Sequence, residues 1–433
     1  MHGGTLAERT EILVVGGGPA GCTAALGLAR SGFEVVLAAT PRRPAVSEGL
    51  SERVVRFLEQ TGHERALATL GPSVRREASW HGATTSANVE WVVEREAFDR
   101  ALLEDVSAAG VRTVMVPVRR LRLAEDHWQA EAGGHAYRAR FLVEARGRRA
   151  PGRRHHGPPA IAFAQTWTGL RRQACTAVAP FAEGFAWFAT VGNGRGSLQL
   201  IVAPGTPAER EASLAERLAS VPPAQAWLEG GRPLGPAIVR HAGTSRAQAP
   251  LEPARIRIGD AALALDPLSG HGVFEALASA TAAVPVVTTL LRRPADAALA
   301  RAFYEERIEQ GFLRFARTAR DFYRLEERWA DAPFWCARRS WPDDLPAHAS
   351  PSAAAPQITT KPVIEDGFVV AREVIVTADN PRGVFQVDGV PLVALLRAVR
   401  IGETEKASRC LERAPEQIET ALAWLRYRGL LRS

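Results

Sequence analysis

The chain has 433 residues, 46% hydrophobic and 23% charged, enough to bury a large core and to divide into two or three domains. Its four cysteines, Cys22, Cys175, Cys336 and Cys410, are far apart and form no C-x-x-C, which excludes a disulfide framework or zinc cluster and points to a reducing cytoplasm. The net charge of +7 rests on arginine, because Lys361 and Lys406 are the only lysines and two from 54 leaves 52 arginines; lysine-dependent chemistry is excluded before position 361. Such an arginine bias marks neither a nucleic-acid nor a membrane surface, and Met1 to Arg9 lacks the apolar core of a signal peptide.

In chain order, "EILVVGGGPAGCTAALGLARSGFEVVLAAT", Glu11 to Thr40, predicts an apolar strand, a glycine turn, a small-residue helix and a second strand. Gly16, Gly18 and Gly21 form G-x-G-x-x-G: a tight turn, close backbone approach to a pyrophosphate, and helix–strand contact. Ala20 and Gly21 open the helix, whose N–H groups and positive dipole suit phosphate. The second strand of such a unit normally ends in a ribose-binding acid, but Ala39 stands there. Thr40, Arg42 or Arg43 would have to reach the ribose or phosphates instead, so a loosely held nucleotide is expected.

"VSEGLSERVVRFLEQTG" reads as a loop entering a helix with Ser51 as N-cap, and "EREAFDRALLEDVSAAGV" as an amphipathic helix carrying Phe98, Leu102 and Val106. Alternation from Arg112 to Ala132 predicts one or two strands, and "YRARFLVEARG" a strand ending at a glycine turn. Ile161 to Val202 reads as aromatic-rich antiparallel strands. "RIRIGDAALALDPLSGHGVFEALASATAAVPVVTTLL" is a strand, a loop and a long helix, and helical pattern continues to about Arg339. A Pro, Ala and Ser-rich linker follows. The last segment shows a strand pair (368–377 and 383–387) and helices at 391–399, 403–412 and 415–428.

Residues 10–340 resemble the FAD-dependent aromatic hydroxylases and their flavin-halogenase relatives. "VSEGL" is similar to the halogenase G-E-S-x motif with Glu48 retained, and "EREAFDRALL" to the flavin-contacting helix start with Arg95 at the arginine position. "RIGDAALALDPLSGHGV" resembles the second flavin motif. The resemblance assigns Asp260 to the ribityl chain, and Pro267, Gly270 and Gly272 to a turn whose helix end stabilises charge at the flavin ring edge. It implies an α/β chain, α+β overall. A Rossmann-type FAD-binding domain (about 8–75, 95–160 and 252–300) carries an inserted antiparallel-sheet substrate domain (about 76–94 and 161–251) and a helical tail (300–345). These make a core of residues 1–345, followed by a linker at 346–362 and a winged-helix-like domain at 363–433.

Departures shape the expected activity. The halogenases use a lysine relay and a W-x-W-x-I-P stretch; here the lysine is missing and only Phe185 to Thr190 stands near the second. The A-D-G triplet of the single-component hydroxylases is replaced by Ala145-Arg146-Gly147, so reduced FAD is expected from a separate reductase or reductant. What the resemblance leaves is hydroxylation of an aromatic ring with O2 by C4a-hydroperoxyflavin chemistry in an enclosed cavity. Trp80, Phe163, Trp167 and Trp187 are the candidate substrate wall, with His81, His271 and Glu48 as candidate catalytic groups. Basic and acidic residues nearly balance in 363–433, poor support for nucleic-acid binding. That unit resembles leader-peptide-binding winged helices, so a peptide or protein substrate is expected, as in the branch that hydroxylates a peptidyl tryptophan during quinone cofactor biogenesis. The alternatives are a halogenase or small-molecule hydroxylase, and a non-catalytic flavin-bearing scaffold or regulator. Neither a membrane nor a nucleic-acid partner is expected.

Overall fold

The computed structural model describes residues 7–40, 46–205, 214–218, 221–350, 354–401 and 413–431. Two compact units divide the chain: Met1–Val284 with Phe312–Leu345, and Pro285–Gly311 with Pro346–Ser433.

The first unit holds the Rossmann-type layer and a large antiparallel sheet. Strands Arg255–Arg257, His135–Glu144, Glu8–Val15, Val35–Ala38 and Arg112–Val114 lie side by side and parallel. A parallel sheet is covered on both faces, which is why Ile12 to Val15 is unbroken apolar and buried. The helix Pro19–Arg30 follows the first strand, and its small residues let it lie close to the sheet. The second sheet has eight strands in the order Arg232–His241, Ile161–Thr168, Arg195–Val202, Gly184–Thr190, Cys175–Phe181, Ser73–Trp80, Ala83–Glu94, Ser47–Ser51. Its two faces cover different clusters. One holds Phe163, Leu170, Phe188 and Trp227; the other holds Phe185, Val178, Tyr323 and Trp335.

Three expectations change. "VSEGL" is not a loop: Ser47–Ser51 is an edge strand paired with Ala83–Glu94. Its polar composition gives no strand signal, so the pairing comes from its partner. Ser51 does precede helix Glu52–Thr61, but its side chain makes no capping hydrogen bond. In the linker, residues 357–362 belong to strand Gln357–Glu365, paired with Phe368–Thr377. Pro362 is compatible with this because the strand lies at the sheet edge, where a missing N–H costs little.

The second unit closes that three-stranded sheet with Asn380–Val384 and packs it with helices Leu392–Arg400 and Pro415–Tyr427. Ile375, Leu392, Leu395, Leu396, Ile418 and Leu425 form its core. Thr289 accepts a hydrogen bond from the Val369 N–H at 2.8 Å, and Lys361 pairs with Glu306 at 2.8 Å. The helix expected at 403–412 lies outside the described residues. Among the described residues one helix, Gly272–Arg292, is long and apolar enough to cross a membrane; Leu277, Ala280, Ala283, Val286 and Val287 on it are core residues.

Candidate functional site: a glycine turn and an aromatic sheet face

Three separated segments converge at the glycine turn. Gly16 adopts φ +119°, and a Cβ on it would lie 2.3 Å from the Ala145 carbonyl oxygen. A Cβ on Gly21 would lie 1.7 Å from the Gly16 oxygen, so neither position accepts a side chain. Gly259, at φ +55°, packs on Ala20, and Gly147 faces Asp260. Gly18 differs: a Cβ there would meet nothing within 4 Å. It is the N-cap of helix Pro19–Arg30, with no side-chain cap and no acid in the first turn, so uncapped N–H groups face open space. Gly272, opening helix Gly272–Arg292, has the same freedom. Two such helix starts with room beside their glycines fit a dinucleotide with an anionic pyrophosphate and a charge-bearing ring.

The ribose end is less well supplied. Ala39 is buried, and Gly17 and Leu103 close over it, whereas Thr40 is exposed. Arg42 and Arg43 lie outside the described residues. Sequence reasoning missed Arg148, whose guanidinium reaches Asp260 at 3.4 Å while donating to the Gly243 and Leu265 carbonyls. Only the run of arginines after Gly147 hinted at it.

The "VSEGL" residues have separate structural jobs. Glu48 accepts from Arg95 Nη1 at 2.7 Å, and Asp99 takes the other edge of the same guanidinium. Burial works against the Arg95 charge, but the Asp99 and Glu48 carboxylates outweigh it and hold the group firmly protonated. Gly49 leaves room for the buried Glu90, whose carboxylate would be 2.4 Å from a Cβ at 49. Glu90 in turn is held by Thr176 and forks Arg76, whose Nη2 lies 3.3 Å from where a Gly270 Cβ would be.

Pro267 and Gly270 shape the turn that follows. Asp266 accepts from the Leu268 N–H at 2.9 Å and from the Tyr323 hydroxyl at 3.0 Å, and burial pushes its pKa up. Gly270 turns the chain at φ +65°. His271 Nδ1 meets the Ser269 carbonyl; a carbonyl only accepts, so Nδ1 carries the proton and Nε2 is the free lone pair. Burial holds the imidazole below the usual histidine pKa, and the Arg53, Arg314 and Arg76 charges add to this, while the Ser269 bond opposes it.

The predicted aromatic wall does not come together. Trp80 and Trp187 pack on the sheet face that also receives Leu268, from the flavin-motif turn. Phe163 and Trp167 belong to the opposite face. Alternation along a strand sends neighbours to opposite faces, and the sequence does not say which face is which. Trp80 donates from Nε1 to the Phe322 carbonyl at 3.1 Å, and the His81 N–H to Glu326 at 2.8 Å. His81 is thus an exposed residue in a hairpin turn fastened to the helical tail, at φ +50°.

Comparison with known proteins agrees with this geometry. A profile described as an FAD binding domain matches residues 9–189. The peptidyl tryptophan dihydroxylase QhpG, essential for tryptophylquinone cofactor biogenesis, superposes with a TM-score of 0.84 at 36% identity, over 98% of this chain and 100% of that one. The flavin-dependent halogenase CmlS shares the fold, with a TM-score of 0.75 at 19% identity over 98% and 95% of the two chains. The tryptophan 2-halogenase of Chondromyces crocatus is 26% identical over 386 residues, 78% of this chain and 72% of that protein. The chain therefore carries an FAD-binding domain that includes the glycine turn, and it belongs to the FAD-dependent hydroxylase and halogenase family of flavin oxidoreductases.

Proposed function

We propose that this chain is an FAD-dependent monooxygenase that hydroxylates an aromatic ring, with a tryptophan side chain of a peptide or protein as its substrate. The observation that carries the reading is His271, held neutral in the flavin-motif turn whose Leu268 packs on the sheet face of Trp80 and Trp187. The likeness to the peptidyl tryptophan dihydroxylase along the whole chain supports the peptide substrate. Reduced FAD, delivered by a separate reductase or reductant, supplies the activation of O2.

The chain's own residues do the rest. Gly16, Gly18, Ala20 and Gly21 hold the pyrophosphate, Asp260 the ribityl chain, and Pro267, Gly270 and Gly272 the ring edge. Thr40 stands at the ribose, aided by Arg42 and Arg43. Arg95 acts through Glu48, as a positioning pair. Trp80 and Trp187 exclude water beside the ring to be oxidised. His271 Nε2 accepts the proton released when oxygen has added to a ring carbon and aromaticity returns. His81, Phe163 and Trp167 have weaker claims, given their placement. In this reading residues 1–345 are the cytoplasmic catalytic core, and the C-terminal segment, entered through the strand at Gln357, is a winged-helix-like unit.

The test is mass spectrometry of a tryptophan-containing precursor peptide incubated with the enzyme, reduced FAD and O2. Gain of one or two oxygen atoms on the tryptophan is expected; turnover of free indole or phenol alone would defeat the peptide reading. The Chondromyces relative favours a second reading, halogenation, which predicts chloride-dependent product masses. Against it, no lysine precedes Lys361.

A further inference from the structure

Next to Asp260, which Arg148 reaches, the chain "RGRRAPGRRHHG", Arg146 to Gly157, forms a basic ledge. Strand Arg153–His155 pairs antiparallel with Ser245–Ala247, placing Arg154 directly opposite Arg246. Like charges directly opposite each other are destabilising, and the two guanidiniums are parted onto different partners, Arg154 against the Gln248 amide and Arg246 over the Phe312 ring. The His155 and His241 rings lie 5.3 Å apart and tilted by 43°, and Arg246 and His156 lie at 4.9 and 5.2 Å from the same buried ring, Phe312. Arg153 is held by Ser245 Oγ at 2.6 Å and by the Ala150 carbonyl. Among the described residues Arg149, Arg153 and Arg154 form no ion pair with a carboxylate. The positive field is felt locally: burial first, then the His241, Arg153 and Arg148 charges, push the His155 imidazolium below its usual range.

Ordinary surface arginines are mobile and solvated, and ordering them on binding costs affinity. Here the aromatic floor and backbone carbonyls have already ordered several of them. The ledge is contiguous with the site, since Arg153 contacts the Arg148 carbonyl and Arg148 pairs with Asp260. We propose that the ledge of Arg153, Arg154, His155, His241 and Arg246 docks an acidic stretch of the polypeptide substrate, flanking the residue to be oxidised. Charge complementarity selects the occupant, and the short reach of the paired strands favours a peptide over a nucleic acid, whose phosphates would require an extended basic track. The proposal rests on the peptide-substrate reading above.

Fluorescence anisotropy on the full chain loaded with FAD tests it, using a glutamate-rich peptide without tryptophan and a glutamine counterpart of equal length. The acidic peptide is expected to bind at least about tenfold tighter, with an advantage that shrinks as salt rises. The double variant Arg154→Glu with Arg246→Glu should lose that tenfold while keeping wild-type FAD titration. Should the variant fail to fold, the salt series on the wild type decides alone. Equal binding of the two peptides, or a single-stranded oligonucleotide of equal charge displacing the acidic one, overturns the docking proposal. Tryptophan peptides with acidic and neutral flanks separate the two readings. Oxygen gain on both at equal KM defeats the ledge but leaves the function standing, whereas binding without oxygen gain does the reverse.

Discussion

The glycine turn and the aromatic sheet are built on different logic. At the turn, what matters is which side chains must be absent: Gly16 and Gly21 have no room for a Cβ, whereas Gly18 has open space beside it. On the sheet, function depends on which face a side chain joins, and Trp187 and Phe188, adjacent in sequence, join opposite clusters. Constraints of the first kind are local and unforgiving. Those of the second kind are distributed and redundant.

The sharpest break of that contrast is Gly21→Val. A side chain 1.7 Å from the Gly16 oxygen should cost about 4 kcal/mol or more and abolish FAD binding, seen as lost soluble protein or a collapsed melting temperature. Gly18→Ala should leave the melting temperature of the FAD-free protein unchanged, yet weaken FAD by about tenfold or more in a fluorescence titration. Wild-type affinity in that variant would move the pyrophosphate away from Gly18. Next comes Arg95→Met, which strands Asp99 beside Glu48 and should cost about 3–5 kcal/mol in urea unfolding.

His271→Asn should lower the turnover rate by about 10²- to 10⁴-fold with FAD affinity retained. Its pH profile carries a sign. A neutral His271 is the active form, and nearby positive charge favours that form. Arg76→Met removes such a charge, so the His271 pKa should rise and the acid limb of the rate profile move to higher pH. An acid limb that stays in place would remove His271 from proton transfer.

Smaller still is the difference between two tryptophans. Trp167→Ala and Trp187→Ala should each destabilise by about 2–4 kcal/mol, but only Trp187→Ala should change kcat/KM for the aromatic substrate beyond its effect on folding. Equal catalytic losses would put the substrate on both faces. The smallest effect is Ser51→Ala, within about 0.5 kcal/mol, because the hydroxyl makes no cap bond to lose.

Legibility followed range. The first strand, turn and helix could be read from residues 11–30 because apolar runs, glycine spacing and helix starts are properties of neighbours in sequence. The same holds for the Asp260 to Gly272 segment, where strand, loop and helix are contiguous. "VSEGL" misled because its strand state comes from Ala83–Glu94, and the strand at Gln357 because its prolines imitate a linker. Arg76 and Glu90 carried no signal and Arg148 only its place in a run of arginines, since each acquires its meaning from partners that the fold brings to it.

The sequence by itself determined that a nucleotide-binding turn exists and that no lysine precedes Lys361, and its resemblance to the flavin hydroxylases and halogenases implied FAD. The turn follows from residue types at fixed spacing, and a glycine that lacks a Cβ keeps that property in any fold. Only the tertiary structure decided that Glu48 serves Arg95, that His271 holds its proton on Nδ1 and that the aromatic residues divide between two faces. Each of these is an encounter between distant segments, set by strand register and burial rather than by any residue alone.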